Sequence, residues 1–312
     1  MRIGIDLGGS KIEAILLDHD GTECSRIRMP TPSGDYPGTI AAICALVGQL
    51  DRFAANIPLG PTAPVPVGVG IPGAISPASG LVKNANSICL IGRDLHRDLT
   101  HALARPVKLA NDANCFAVSE ATDGAAAGAK VVFGVILGTG VGGGICLNGH
   151  ALSGANAIAG EWGHNPLPWP CPSVTPRQTS ELPGPPCYCG QTGCIETFLS
   201  GPGLCRDHVS ASGENLSSHE IVARADQGHR SCQDTLQRYE HRLARALASV
   251  INILDPDVIV LGGGLSNLQR LYTHVPQLWG SWVFSDTVST RLVQNHHGDS
   301  SGVRGAAWLW GA

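Results

Sequence analysis

The 312-residue sequence predicts a duplicated α/β protein, and three observations carry that prediction. A plan of strand, glycine turn and second strand at Arg2 to Thr22 recurs at Val131 to Leu152, about 130 residues later. Apolar β-type runs alternate with stretches of helical periodicity. The length itself fits about two domains.

Taken in order, the opening from Arg2 reads as a strand, a tight turn at Gly8-Gly9 and a second strand, with Asp20-Gly21 turning into a third. Val67 to Gly73 reads as a buried strand entering a loop, and Asp94 to Leu103 as a short amphipathic helix. Val107 to Ala110 is a strand ending in Asn111-Asp112-Ala113-Asn114, with a helix from Ala113 to about Ala127. Val131 to Leu137 is a strand, Gly138 to Gly144 a glycine turn, Ile145 to Leu147 a strand and Asn148-Gly149 a type I′ hairpin turn. Apolar residues from Leu236 to Leu254 recur every three or four positions, so 232–254 is an amphipathic helix stopped by Asp255-Pro256. Val258 to Leu261 is a buried strand feeding Gly262-Gly263-Gly264, and Ser301 to Trp310 forms a last helix. Pro166 to Pro186, with eight prolines and no periodicity, reads as a long inserted loop.

Composition excludes several classes. Hydrophobic residues make up 43% and the net charge is only −4, so the bulk is not disordered. A sequence pI near 6.3 gives no nucleic-acid footprint. The uncharged stretches 53–82 and 131–147 carry six prolines and six glycines respectively, so neither reads as a membrane span. Asp6 interrupts any apolar leader region, which leaves a cytoplasmic protein as the expectation. The odd number of cysteines, 11, asks for a metal or redox reading rather than a disulfide framework.

Three glycine turns follow apolar β runs: Asp6 to Lys11, Gly138 to Gly144, and Gly262 to Ser266. Bare backbone of this kind lets N–H groups approach a phosphate. The second turn matches G-x-G-x-x-G at 138, 140 and 143, but the residues after it form a strand and hairpin instead of opening a helix, which argues against a nicotinamide-dependent oxidoreductase. Asp112, at a strand end and flanked by Asn111 and Asn114, suits a general base for phosphoryl transfer; the same pattern also suits a helix N-cap. Asp6, directly before the first turn, suits Mg²⁺ or its water.

Cys187-Tyr-Cys189-Gly-Gln-Thr-Gly-Cys194 places three thiols within eight residues, and His164 supplies a fourth donor for a Cys₃His structural zinc site. Cys171 competes for that fourth place, and the remaining cysteines read as small core residues. Glu161 and Glu196 flank these ligands closely in sequence, so a metal here would gather two carboxylates able to accept from sugar hydroxyls.

In order along nearly the whole chain, Asp6-Leu-Gly-Gly-Ser-Lys11, the Gly138 turn, Glu161-Trp-Gly-His164, Cys187 to Glu196 and Gly262-Gly-Gly resemble the ROK family of repressors and sugar kinases. The stretches 82–87, 109–115, 161–169 and 297–310 are most similar to its bacterial fructokinases of the manno(fructo)kinase type. The resemblance implies an actin-like ATPase (ribonuclease H-like) fold, with two duplicated lobes and a nucleotide and sugar cleft between them. It implies a small lobe at 1–118, against which 298–312 packs back, and a large lobe at 119–297. It assigns ATP to Gly4, Asp6, Leu7, Gly8, Gly9, Ser10 and Lys11, to Gly138, Thr139 and Gly140, and to Gly262, Gly263, Gly264 and Leu265. Sugar contacts fall on Gly73, Asn86, Asn111, Asp112, Glu161, His164 and Glu196, with Asp112 as base. The implied reaction is phosphorylation of D-fructose at its 6-hydroxyl by ATP with Mg²⁺. Mannose, glucose or N-acetylglucosamine are the alternative acceptors, and a homodimer is the implied assembly. A ROK repressor would need an N-terminal helix-turn-helix ahead of the first strand.

Overall fold

Strands and helices alternate along the computed structural model, which describes residues 1–58, 60–172 and 180–311. The chain opens with β1 (Arg2–Leu7), β2 (Lys11–Leu17) and β3 (Glu23–Pro30). The helix α1 (Tyr36–Ala55) follows, its first turn capped by the Asp35 carboxylate accepting from Gly38 N at 2.9 Å. Then come β4 (Val67–Ile71), the short pair β5 (Ala74–Ile75) and β6 (Val82–Lys83), α2 (Leu95–Leu103), β7 (Val107–Asn111) and α3 (Asp112–Thr122). The second half runs through β8 (Val131–Leu137), β9 (Val141–Leu147), β10 (His150–Ala151), α4 (Ile195–Leu199), α5 (Gly201–Ser212), α6 (Ser218–Asp226) and α7 (Arg230–Leu254). It ends with β11 (Val258–Gly262), α8 (Arg270–Trp279), β12 (Arg291–Gln294) and α9 (Ser301–Trp308).

The described strands form two five-stranded sheets, ordered β3-β2-β1-β4-β7 and β10-β9-β8-β11-β12, and the β5-β6 pair. In the first, β1, β4 and β7 are parallel, with Asp6 beside Gly70 and Ile71 beside Asn111. Their C-terminal ends therefore emerge along one edge, where open α/β sheets bind ligands.

The chain divides into two compact units, 1–134 with 144–160 and 295–312, and 135–143 with 161–294. In unit one, Ile3, Ile5, Val67 and Val69 are fully buried with Ile43, Leu46, Val47 and Leu50 of α1. Each such side chain contributes about 1.5–3 kcal/mol. Among the described residues α1 alone is long and apolar enough to cross a membrane, yet this face of it belongs to the core.

Helix α9 lies against β1, β4 and α3 at backbone contact distance. A Cβ on Gly4 would fall 2.1 Å from Val303 O, on Gly68 1.9 Å from Ala306 O, and on Gly305 1.7 Å from Cys115 O. Glu120, fully buried near the end of α3, accepts from Ser301 Oγ at 2.7 Å and from the backbone N–H of Ala125 and His296.

In unit two, Arg238, Arg242 and Arg245 of α7 alternate with Asp207 and Glu181. Arg242 donates to both acids, at 2.7 and 2.8 Å, and Arg245 donates to Glu181 at 2.7 Å. Glu181 also accepts from Cys171 N at 2.7 Å, so this ladder fastens part of the proline-rich insertion to α7. The remainder of that insertion, 173–179, lies outside the described residues.

Three local expectations change. The glycine turn is confined to 138–140, because β9 already begins at Val141; Gly144 is a strand residue, where a Cβ would lie 2.2 Å from Ala113 O. Helix α3 ends at Thr122, five residues early, where Asp123 takes up partners in α9. Of the cysteines read as core, only Cys115, Cys146 and Cys232 are buried; Cys24, Cys44, Cys89 and Cys205 are half-buried.

Candidate functional site

In unit one the site grows from the ends of the parallel strands. The turn after β1 closes with Gly8 N donating to Lys11 O at 3.0 Å, and Thr31 Oγ1 donates to Gly8 O at 2.7 Å. Gly9, Ser10 and Lys11 are left exposed. Lys11 Nζ lies 3.6 Å from Glu13, a buried carboxylate that also pairs with Arg26 and Arg28. Gly4 and Leu7 are buried. Gly4 faces α9, so its lack of a side chain serves packing.

Asp112 opens α3 directly after β7. The cap is Asn111, whose Oδ1 accepts from Ala113 N at 2.9 Å. Asp112 is thus the first helical residue, and its Oδ1 also accepts from Ala113 N, at 2.8 Å. An N-terminal carboxylate is stabilised by the helix dipole. Asn111 donates through Nδ2 to Gly73 O at 2.9 Å, tying the β7 end to the loop after β4. Gly73 has φ of 75° and no room for a side chain, since a Cβ would lie 2.3 Å from Lys83 O. Asn86 is exposed, whereas Asn114, expected beside the acid as an orienting group, is buried and accepts from Ile145 N at 3.4 Å.

Asp6 carries the clearest electrostatic signature. Burial first, and then the charge of Asp112, raise its carboxyl from 3.8 to about 6, with Lys11 opposing. Two carboxylates close enough to repel in a partly desolvated surrounding are a donor set that a divalent cation would relieve.

In unit two the 138–142 segment is the hub. Glu196, in the first turn of α4, accepts from Val141 N at 2.9 Å, and Gly201 N donates to Gly138 O at 2.8 Å. Trp162 Nε1 donates to Gly142 O at 3.0 Å, and a Cβ on Gly163 would lie 2.3 Å from Val141 O. The Glu161–His164 turn and Glu196 are therefore both anchored on one short stretch. Thr139 belongs to the same turn. Gly262 ends β11, and Gly263, with φ of 80°, passes close to Leu137 O. Gly264 and Leu265 then start a 3₁₀ turn, with Leu265 buried.

His164, Cys187, Cys189 and Cys194 present donor atoms that all lie within 4.8 Å of one another. Cys187 Sγ is 3.6 Å from His164 Nδ1, and Cys189 Sγ is 3.6 Å from Cys194 Sγ. A tetrahedron with 2.3 Å metal–sulfur bonds has edges of about 3.8 Å, so the set fits Zn²⁺. Cys171 does not compete: its sulfur is 3.6 Å from Arg245, on the charge ladder.

Sequence reasoning passed over Tyr188, which sits between two of these cysteines. Its hydroxyl is 3.0 Å from His164 Nε2, with the rings edge to face at 5.1 Å. Partial desolvation of the hydroxyl, then the Glu196 carboxylate, the Cys187 sulfur and the Glu161 carboxylate, push this phenol above its ordinary value. Its position inside Cys-x-Cys was the available signal.

Known proteins resemble the chain along its whole length. The ROK family description matches residues 2–312. An N-acetyl-D-glucosamine kinase of Salmonella paratyphi B is 38% identical over 310 residues, covering 99% of each chain. A ROK hexokinase from Thermus thermophilus superposes with a TM-score of 0.82 at 28% identity, over 99% of this chain and 97% of that one. A ROK family glucokinase from Streptomyces griseus, in complex with glucose and AMPPNP, gives a TM-score of 0.73 at 27% identity, over 99% and 98%.

Proposed function

The chain belongs to the ROK family and is a sugar kinase with the actin-like ATPase fold, and on that premise we propose that it phosphorylates N-acetyl-D-glucosamine at the 6-hydroxyl with ATP. The acceptor departs from the fructose that the motifs suggested; full-length relatives at 37–38% identity named N-acetyl-D-glucosamine kinases support the change. The observation carrying the chemistry is the acid pair Asp6 and Asp112, at the C-terminal ends of parallel strands.

Asp112 accepts the hydroxyl proton as the sugar oxygen attacks the γ-phosphorus. The bond to the β–γ bridging oxygen breaks, and ADP leaves with the electron pair. Asn111 fixes the base by capping α3 and bonding Gly73 O, and its second amide proton is offered to the sugar. The Gly8 to Lys11 turn, exposed from Gly9 on, and the Gly138–Gly140 turn hold phosphates, and Gly262 to Leu265 border the adenosine. Asp6 would hold Mg²⁺ or its water. When bound, Mg²⁺ neutralises charge on the phosphates. Gly73, Asn86, Glu161 and Glu196 take the remaining sugar contacts, and His164, on the same short turn as Glu161, faces the acceptor beside them.

His164, Cys187, Cys189 and Cys194 would hold a structural Zn²⁺ that fixes the imidazole and, two residues past Cys194, Glu196. A homodimer is the expected assembly, checked by light scattering. Rates of ADP release with N-acetyl-D-glucosamine, D-fructose, D-mannose and D-glucose test the reading. The highest kcat/KM should fall on N-acetyl-D-glucosamine. A higher value for fructose would restore the earlier acceptor, and no turnover with any hexose would overturn the reading.

A further inference from the structure

We infer that Tyr188 is a specificity-determining residue of the acceptor site, holding the Nε2 hydrogen bond of His164 and offering its own O–H to a carbonyl oxygen of the sugar. The inference rests on the reading that Glu161, His164 and Glu196 face the acceptor.

The hydrogen-bond inventory leads there. His164 Nδ1 points at the cysteine sulfurs, 3.6 Å from Cys187 Sγ, and a nitrogen that faces a metal-binding set presents its lone pair. The ring proton then lies on Nε2, and the atom 3.0 Å from it is the Tyr188 hydroxyl oxygen. This is the nitrogen that would otherwise be left for a sugar hydroxyl. Having accepted from Nε2–H, the phenol has one proton left to donate. A carboxylate accepts and cannot donate, so Glu161 and Glu196 suit sugar hydroxyls, which donate. The phenol is the neutral donor beside them.

An unsubstituted hexose carries hydroxyls that satisfy carboxylates. An acceptor-only atom, such as the carbonyl oxygen of an N-acetyl group, needs a donor of this kind. Tyr188 is also free to meet a ligand, since it is 79% exposed. Its place is fixed by Cys187 and Cys189 on either side and by edge-to-face contact with His164 at an interplanar angle of 87°. The proposed discriminator is therefore rigid, and it discriminates by the presence of a carbonyl.

The test is Tyr188→Phe, which keeps the ring and removes the donor. Wild type and variant are compared for KM and kcat with N-acetyl-D-glucosamine and with D-glucose, and for zinc per chain. Loss of one neutral hydrogen bond should raise KM for N-acetyl-D-glucosamine about 3- to 10-fold. The kcat values and the metal content should stay within about twofold of wild type, and KM for glucose, which has no carbonyl to lose, should rise by a clearly smaller factor than KM for N-acetyl-D-glucosamine. An equal change for both sugars, no change for either, or a loss of zinc would each overturn the assignment. A wild type active on the sugars with an unaffected variant removes this inference alone. A wild type inactive on both removes the functional reading and this inference with it.

Discussion

Replacing Asp6 by Asn should make the protein more stable while it stops turning over. The carboxyl is raised from 3.8 to about 6 by burial and by Asp112, so the folded state holds its proton more tightly than the unfolded chain does. Ionisation therefore costs folding free energy: nothing below pH 3.8, an increasing amount up to about pH 6, and a constant amount above. A rise of that size, at about 1.4 kcal/mol per pH unit, sets a ceiling of about 3 kcal/mol. The side chain is half-buried and retains some water, which brings the expected gain to about 1–3 kcal/mol at pH 7.5. Urea unfolding of both proteins without nucleotide or magnesium reads it directly, and the difference should shrink to about half at pH 5. Because Asp112 is the second cause, D6N should stabilise a D112N background less than it stabilises wild type. A difference independent of pH, or a wild type that is the more stable protein at pH 7.5, would refute the assignment of a strained acid pair.

Asp112→Asn should reduce kcat at least about 100-fold while ATP still raises the melting temperature, because general-base catalysis is worth roughly 10² to 10⁴; near-normal turnover in a coupled ADP assay would exclude Asp112 as base. Cys194→Ser should take the zinc content from about one per chain to none and lower the melting temperature, as elemental analysis and a thermal scan would show. Gly305→Ala puts a methyl 1.7 Å from Cys115 O, and overpacking against backbone should cost about 3 kcal/mol or more in urea unfolding. Glu181→Ala strips buried Arg242 and Arg245 of a shared partner, with an expected loss of about 3–5 kcal/mol and no direct effect on KM for the sugar.

The β strands and the long helix α7 were legible because their periodicity is local: Ile3, Ile5 and Leu7 alternate, and Leu236 to Leu254 keep one apolar face. The four zinc-type donors were legible because three lie within eight residues and the fourth is fixed in a short turn. Legibility failed where the deciding partner is distant in sequence. Gly4 looks like a ligand glycine until α9, more than 290 residues away, is laid across it and across Gly68 of the neighbouring strand. Asn114 resembles an orienting amide until Ile145 N claims it. Helix α1 went unread although Asp35, Pro37 and the apolar positions 43, 46, 47 and 50 signal it, because a stretch so free of charge resembles a strand or a membrane segment as readily as a helix.

The packing of α9 also bears on the chemistry proposed for the chain's first turn. Gly302 faces Asp6 with its Cα side, where a Cβ would lie 3.6 Å from the carboxyl carbon. Gly305 lets α9 press on α3 at Cys115, three residues past Asp112, and Ser301 holds Glu120 farther along the same helix. The last helix thus packs on Asp6 through Gly302 and, through Gly305, on the helix that Asp112 opens. A bulkier residue at 302 would exclude water from Asp6, raising that carboxyl further and weakening its hold on a cation. A loosened α9 would do the reverse, admitting water and lowering the repulsion. The 40 glycines of this chain therefore include two kinds: those of the turns proposed to hold phosphate, and a seam of Gly4, Gly68, Gly302 and Gly305 that lets α9 reach its neighbours' backbone and the Asp6 carboxyl.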